Sequence, residues 1–204
     1  GARAALSALP LVHALHRLPD VQPHLALSPS GSLTLQHEMQ LTPADLLPLV
    51  HRQHPVGDLG APLASGSFRC QAMVVVPCAM RTLAALAHGL GDTLLTRAAD
   101  VMLKERRRLI LVAREAPLNL AHLRNMTTLT EMGAIIYPPV PAFYQHPRTM
   151  EDMARHTVAR LLDLLDLPQT LSPQWEGLHA AAPLPEPAPV PPPIPASLRC
   201  TPTA

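Results

Sequence analysis

The chain contains few aromatic side chains and few charges, and both scarcities argue against a nucleic-acid partner. Phe, Trp and Tyr make up 2% of the 204 residues, so there are few side chains on which bases can stack. Charged residues make up 15% of the chain and the formal net charge is +1, so no strong field attracts a polyanion. We therefore expect no binding of nucleic acid.

Cysteines and long apolar runs are also scarce. Cys70, Cys78 and Cys200 are odd in number and form no CxxC pair, which argues against a disulfide framework and against a zinc knuckle. No run approaches the ~18 apolar residues typical of a membrane span, and no charged-then-apolar leader precedes the fold. The sequence thus predicts a cytoplasmic protein without membrane association, and a start at Gly1 instead of methionine suggests a trimmed chain.

Short apolar segments alternate with helical patterns along most of the chain. Strands are predicted at residues 24–27, 73–76, 109–113 and 134–137. Helices are predicted at residues 4–17, 43–52, 80–88, 92–105, 119–132 and 150–165, and residues 56–68 are predicted to form a loop. Strands separated by helices imply a parallel sheet with right-handed crossovers. The predicted fold is therefore α/β, a doubly wound parallel sheet with helices on both faces, of the Rossmann or flavodoxin-like kind.

The C-terminal segment has a different composition. Nine of the 22 residues from 183 to 204 are proline, so this segment cannot bury enough apolar surface to offset its ordering entropy. We therefore predict a folded domain over residues 1–168 and a disordered or extended tail over 169–204. The PVPPPIP run leaves a proline-binding partner open, although a solvated tail is the simpler interpretation.

The segment at residues 96–118 contains the clearest candidate for a site. Its apolar run at 109–113 is short, contains Ile and Val and is bounded by charge, which is typical of a strand buried on both faces. Arg114 and Glu115 follow at the carboxyl end of that strand, the edge at which open parallel sheets bind ligands. A surface ion pair of little energetic value is the alternative.

Several long motifs in one order resemble those of UbiX-type flavin prenyltransferases. They are ASGSF at 64–68, VVVPCAMRTLAALAHG at 74–89, LLTRAADVMLKERRRLILVAREAPL at 94–118, HLRNM at 122–126, GAIIYPPVPAFY at 133–144 and VARLLD at 158–163. The match covers most of residues 24–168. The resemblance implies the homo-oligomeric flavin-containing decarboxylase-like fold, with subunits assembled as a dodecamer.

The resemblance also implies a reaction. The family transfers a dimethylallyl group from dimethylallyl monophosphate to reduced FMN, joins N5 and C6 into a fourth ring, and supplies prenylated FMN to UbiD-type decarboxylases, including those of ubiquinone biosynthesis. No metal takes part. Without magnesium, the developing charge on the phosphate must be stabilised by cationic side chains, a task that suits planar guanidinium groups.

Roles for individual residues follow from the same resemblance. The prenyl-phosphate positions are Lys104, Arg114, Tyr144 and Arg160. Glu38 and Glu115 fall on carboxylates that handle protons. The positions that bind FMN fall into three groups. Ser28 and Arg97 are side-chain contacts, and Ala79, Met80 and Thr82 open a helix whose N–H groups can hold the flavin. The third group is the start of the chain, Gly1, Ala2 and Arg3.

Most departures from the family pattern lie at the N-terminus of the chain. A first strand and its Gly-rich turn are replaced by GARAA, where Arg3 could either obstruct or contact the nucleotide phosphate, and Ala79 stands where relatives carry serine. We therefore expect a gap in the sheet and further chain upstream of Gly1. A related flavin-dependent cysteine decarboxylase is an alternative, although its PASANT-type signature is absent. A degenerate flavin carrier is another.

Several candidates also have ordinary structural interpretations. The basic run from Lys104 to Arg108 is typical of a helix C-terminus, Arg97 of a helix salt bridge and Tyr144 of packing. Cys78 follows a buried strand and is predicted to be an inert thiol. His51 and His54 are predicted to be solvated residues of a helix end or a loop.

Overall fold

The computed structural model describes residues 5–172, with side chains from residue 8 onward. The strands are β1 (His24–Ala26), β2 (Arg52–His54), β3 (Ala72–Cys78), β4 (Arg108–Ala113) and β5 (Ile135–Ile136). The α-helices are α1 (Ala5–His16), α2 (Pro29–Met39), α3 (Met80–Ala87), α4 (Leu94–Lys104), α5 (Leu120–Glu131) and α6 (Met150–Leu164). Short 3₁₀ helices lie at Pro43–Leu49, Pro62–Ala64 and Phe143–Gln145.

Within the described residues, the strands form two parallel sheets. β1 pairs with β2, from His24 opposite Arg52 to Ala26 opposite His54. β3, β4 and β5 form the second sheet in that order. The predicted α/β fold with parallel strands is confirmed, but its strands are divided between two sheets.

β4 is the centre of the hydrophobic core. Successive side chains of a strand point to opposite faces of the sheet. Leu109, Leu111 and Ala113 accordingly pack with residues of α3, α4 and α5, whereas Ile110 and Val112 pack with residues of α1 and α6. Helices therefore cover both faces of the second sheet, as the doubly wound prediction requires.

Two predicted elements have different forms in the structure. The helix predicted at 43–52 is a 3₁₀ helix that ends at Leu49, because Pro48 lacks the N–H that an α-helix needs there. The next residues form β2, which was missed because Arg52–His54 contains no hydrophobic alternation. β3 continues through Pro77 to Cys78, past the predicted end at residue 76, with its register shifted between Val75 and Cys78.

The compact unit ends at Ser172, beyond the predicted domain boundary at residue 168. Gln169 ties this extension to α6, since its side-chain amide donates to Asp163 Oδ1 (3.2 Å) and its Oε1 accepts from the backbone of Leu171 (2.8 Å). The predicted tail from residue 173 onward lies outside the described residues. Over residues 5–172, no helix is both long and apolar enough to cross a bilayer.

Candidate active site

The carboxyl edge of the second sheet brings two predicted groups together. Cys78 of β3 is paired with Ala113 of β4, so Ala79 and Arg114 leave neighbouring strands at the same edge. Glu115 follows, is exposed, and its Oε1 accepts a hydrogen bond from the Ala116 N–H at 3.1 Å. The predicted flavin loop and the predicted Arg–Glu pair are therefore adjacent.

The start of α3 fits the binding of a flavin nucleotide. Ala79 is the N-cap, and alanine has no side-chain oxygen to accept from the first N–H groups of the helix. The amides that open this helix, including those of Met80 and Thr82, therefore have no side-chain acceptor at the cap. The helix dipole adds to the attraction of such amides for anionic or electron-rich groups.

Two further predicted residues lie around α2. Ser28 follows β1 and is the N-cap of α2, where its Oγ accepts from the Gly31 N–H at 3.0 Å. Glu38 lies in the last turn of the same helix and is half-buried. The helix places Glu38 nearly three turns from Ser28. Gly1, Ala2 and Arg3 lie outside the described residues.

A second group of predicted residues lies along α4. Arg97 donates from Nε to the Ala64 carbonyl (3.2 Å) and from Nη1 to Asp100 Oδ2 (2.9 Å), so its predicted alternative as a helix salt bridge is present. Lys104 ends the helix and forms an ion pair with Glu105. The Lys104 ammonium also lies against the turn at residues 64–68, because a methyl added to Gly66 would lie 2.8 Å from Lys104 Nζ.

A third group surrounds His156 on α6. The rings of Tyr144 and His156 are edge to face, with centroids 6.3 Å apart, and 66% of Tyr144 remains exposed. Arg160 lies one turn further along and pairs with Asp163 (2.6 Å). Burial raises the pKa of Tyr137 at the end of β5, an effect that the Arg160 charge opposes. Burial, followed by Arg160, lowers the pKa of His156.

The predicted phosphate-binding cations are not assembled at one edge of a single chain. Lys104 ends α4, and the chain then enters β4 at Arg108. Arg114 lies beyond the other end of this six-residue strand, which at ~3.3 Å per residue is about 17 Å long. Within one subunit, Lys104 and Arg114 therefore lie at opposite ends of β4.

Cys78 and His54 test two predictions about structural residues. Cys78 is buried, and that burial raises its pKa to about 12, which is the environment expected of an inert thiol. His51 is exposed as expected, but His54 is 2% exposed and its Nε2 lies 2.9 Å from His24 Nδ1. The solvated interpretation of His54 is therefore wrong. No group of three or more His, Cys, Asp or Glu with metal-binding geometry occurs within residues 5–172.

Sequence reasoning missed residues whose partners are distant in the chain. His156 and Tyr137 join Tyr144 and Arg160, and Arg107 binds the carbonyls of the 64–68 turn. The only available signal was that Arg107 lies within the matched LKERR motif, where it was interpreted as part of a helix C-terminus.

Comparisons with known proteins place this fold and site in a class. The family model described as Flavoprotein matches residues 1–167. The flavin prenyltransferase UbiX of Neisseria meningitidis serogroup B is 49% identical over 164 residues, which cover 80% of this chain and 87% of the relative. A crystal structure of AnUbiX (PadA1) with FMN and dimethylallyl pyrophosphate has a TM-score of 0.83 and 46% identity, covering 87% of this chain and 93% of that one. A dodecameric FMN-dependent Ubix-like decarboxylase from Escherichia coli O157:H7 also has a TM-score of 0.83, with 42% identity and coverage of 87% and 95%.

These matches define a flavoprotein of the doubly wound α/β class. Within that class, the chain belongs to the UbiX-type flavin prenyltransferases. The FMN-dependent cysteine decarboxylase TvaF is 21% identical with a TM-score of 0.51, a likeness that shows the fold alone. The alternative of a cysteine decarboxylase therefore receives no support at the level of function.

Proposed function

We propose that this protein is a flavin prenyltransferase that transfers a dimethylallyl group from a dimethylallyl phosphate to reduced FMN. The observation that supports this most strongly is the adjacency of the α3 N-terminus and the Arg114–Glu115 pair at one sheet edge, fixed by the pairing of Cys78 with Ala113. The family relationship points to the same chemistry. Bound reduced FMN would supply the nucleophilic ring atoms.

Different residues of this chain would bind the flavin, bind the phosphate and transfer protons. Ser28, Arg97 and the backbone of Ala79, Met80 and Thr82 hold the flavin, together with Gly1, Ala2 and Arg3. Lys104, Arg114, Tyr144 and Arg160 hold the phosphate, where fixed cations and a phenol donor stabilise charge as the carbon–oxygen bond breaks. Glu115 and Glu38 accept and return protons at the reacting ring. The leaving phosphate departs as an anion paired with guanidinium and ammonium groups, a role that requires no metal.

Several subunits would build each site, since Lys104 and Arg114 lie at opposite ends of β4. We propose a homo-oligomer, and the dodecamer described for the Escherichia coli O157:H7 relative is its model. The product would pass to a UbiD-type decarboxylase. The unpaired thiols of Cys70 and Cys78 are compatible with the reducing cytoplasm that we propose as its location.

The test is an anaerobic reaction of the protein with reduced FMN and either dimethylallyl monophosphate or diphosphate. We expect the flavin to gain the mass of one dimethylallyl group less the hydrogen that it replaces, and the comparison of donors identifies the phosphate ester used. Glu115→Gln should lower turnover on the order of 10²–10⁴-fold, the usual contribution of a positioned acid or base. Glu131→Gln, an exposed carboxylate at the end of α5, is the matched control. Unchanged flavin from a protein that binds FMN would exclude this function.

A further inference from the structure

Arg107 makes the strongest polar contacts to the turn at residues 64–68. Its Nη1 donates to the Phe68 carbonyl (2.6 Å) and its Nη2 donates to the Gly66 carbonyl (2.7 Å). The side chain is only 20% exposed, so water competes little for these bonds, and charge-assisted bonds of this length are among the stronger ones in proteins.

The end of α4 aims Arg107 at that turn. Arg106 has a left-handed φ of +56°, and its N–H bonds the Leu103 carbonyl while the Arg107 N–H bonds the Met102 carbonyl. This is the Schellman pattern, which ends a helix by reversing the chain. Arg106 is exposed, and the reversal sends the following side chain back over the 64–68 turn. The helix terminus itself therefore places the guanidinium.

The turn is held at both of its ends. Arg97, near the start of α4, donates a hydrogen bond to the Ala64 carbonyl, and Arg107 donates to the carbonyls of Gly66 and Phe68. The carbonyls of Ala64, Gly66 and Phe68 thus accept hydrogen bonds from two arginines near opposite ends of α4. A planar guanidinium can reach two carbonyls at once, whereas an ammonium is a single point charge and cannot reproduce that fork.

The held turn lies directly against the Lys104 head group. A methyl on Gly66 would lie 2.8 Å from Lys104 Nζ and closer still to the Glu105 carboxylate. Lys104 and Glu105 form an ion pair, so the pair occupies the space that a side chain at position 66 would need. A shift of the turn would therefore change where the ammonium can lie.

We propose that Arg107 is a positioning residue that fixes the 64–68 turn and thereby sets the place of the Lys104 ammonium for a phosphate. The inference rests on the proposed function, because it takes Lys104 to be a phosphate-binding group. Arg107 itself contacts neither the prenyl donor nor the flavin. It acts on the donor only through the turn and Lys104.

Arg107→Lys tests the proposal, since lysine keeps the positive charge but cannot reproduce the planar pair of hydrogen bonds to two carbonyls. Arg106→Lys, on the exposed neighbour, is the matched control. Titration calorimetry on the FMN-loaded protein would measure the Kd for dimethylallyl monophosphate. We expect Arg107→Lys to raise that Kd about tenfold, the equivalent of one lost charge-assisted bond, with the Kd for FMN unchanged within about twofold. Arg106→Lys should leave both constants at their wild-type values.

Other outcomes would decide against the proposal. An unchanged donor Kd in Arg107→Lys would overturn it, and so would an equal loss of donor and FMN binding, which a merely structural role predicts. If Arg107→Lys does not fold, Gly66→Ala displaces the Lys104–Glu105 pair directly and must weaken donor binding selectively. Wild-type protein that binds the donor but forms no product would refute the proposed function alone. Wild-type protein that does not bind the donor would refute both.

Discussion

At the scale of single residues, the hydrogen bond between His24 and His54 requires that at least one of the two imidazoles is neutral. The two nitrogens are 2.9 Å apart and the rings are stacked, with centroids 5.2 Å apart, so one ring must donate and the other accept. Burial lowers the pKa of both rings. The charges of His54, His51 and Arg52 lower the pKa of His24 further, whereas for His54 the charge of Arg52 adds to the lowering and Asp58 opposes it.

The lowered pKa values predict that stability falls in mild acid. An unfolded histidine binds a proton below its ordinary pKa of 6.5, while the folded rings resist protonation. The unfolded state therefore binds more protons, so the free energy of unfolding decreases as pH falls below about 6.5 and stays constant above it. Thermal unfolding at about pH 7.5 and about pH 5.5 would measure this.

The His24–His54 pair should account for a large part of this effect, to which the lowered pKa of His156 also contributes. His54→Gln should flatten the dependence of the unfolding midpoint on pH, because glutamine does not titrate in this range. His37→Gln, in the exposed last turn of α2, should keep the wild-type dependence. An equally steep loss of stability in His54→Gln would show that other groups cause it.

At the scale of secondary-structure elements, the first turn of α6 has a complete capping box. Thr149 Oγ1 accepts from the Asp152 N–H (3.1 Å), and Asp152 Oδ2 accepts from the Thr149 N–H (3.0 Å). The same carboxylate accepts from the Arg148 N–H (3.1 Å). The cap therefore satisfies donors at the start of the helix that carries His156 and Arg160.

We expect Thr149→Ala to lower the free energy of unfolding by about 1 kcal/mol, the typical value for loss of an N-cap oxygen. Denaturant titration would measure the change. Thr127→Ala on α5 is the control, because that hydroxyl only donates back to the Leu123 carbonyl on an exposed surface and alanine is the better helix former. Equal effects of the two substitutions would show that the cap contributes nothing.

Elements with a strong local apolar signal match their predicted bounds to within two residues. α4 has the apolar spacing of a helix, whereas β4 is a short, continuous apolar run that is bounded by charge. β2 was missed because its pairing with β1 depends on backbone bonds and not on apolar side chains. The 3₁₀ helix at Phe143–Gln145 likewise has no periodic signal.

The site was predicted less completely than the fold, for a geometric reason. Residue types and their order along the chain suggested Arg114, Glu115 and Ala79 as candidates, and their adjacency follows from parallel pairing at one edge. The sequence did not indicate where Lys104 lies, because only the return of α4 antiparallel to β4 carries its last residue to the opposite edge. The hydrogen bonds of Arg107 to Gly66 and Phe68 could not be predicted, since no local sequence pattern indicates a bond between residues 39 to 41 positions apart.

At the scale of the whole molecule, large apolar side chains remain exposed near the proposed site. Leu118, Leu120 and Leu123 lie after β4, and Val140 and Phe143 lie after β5. Exposed apolar groups are frequent at protein interfaces, and Leu33, Leu47, Leu59 and Leu90 of other segments are exposed as well. The five that follow β4 and β5 are near Arg114 and Tyr144 along the chain, as the proposal that neighbouring subunits complete the site requires.

A site shared between subunits predicts complementation between inactive variants. Lys104→Ala and Arg114→Ala should each abolish most activity, because each removes a cation from the phosphate site. If different subunits supply the two residues, a mixed oligomer contains some sites with both cations intact. Random mixing of equal amounts would restore about a quarter of the wild-type activity, since each intact residue comes from the right chain half of the time.

Co-expression of the two variants with different affinity tags, followed by purification on both tags, would isolate the mixed oligomers. Light scattering would establish that their size equals that of the wild type. Homo-oligomers of each single variant, mixed after purification without exchange of subunits, are the control and should stay inactive. If the mixed oligomers also stay inactive, different subunits do not supply these two cations to one site. Because Lys104 and Arg114 lie at opposite ends of β4 within one chain, that result would remove Lys104 from the phosphate site.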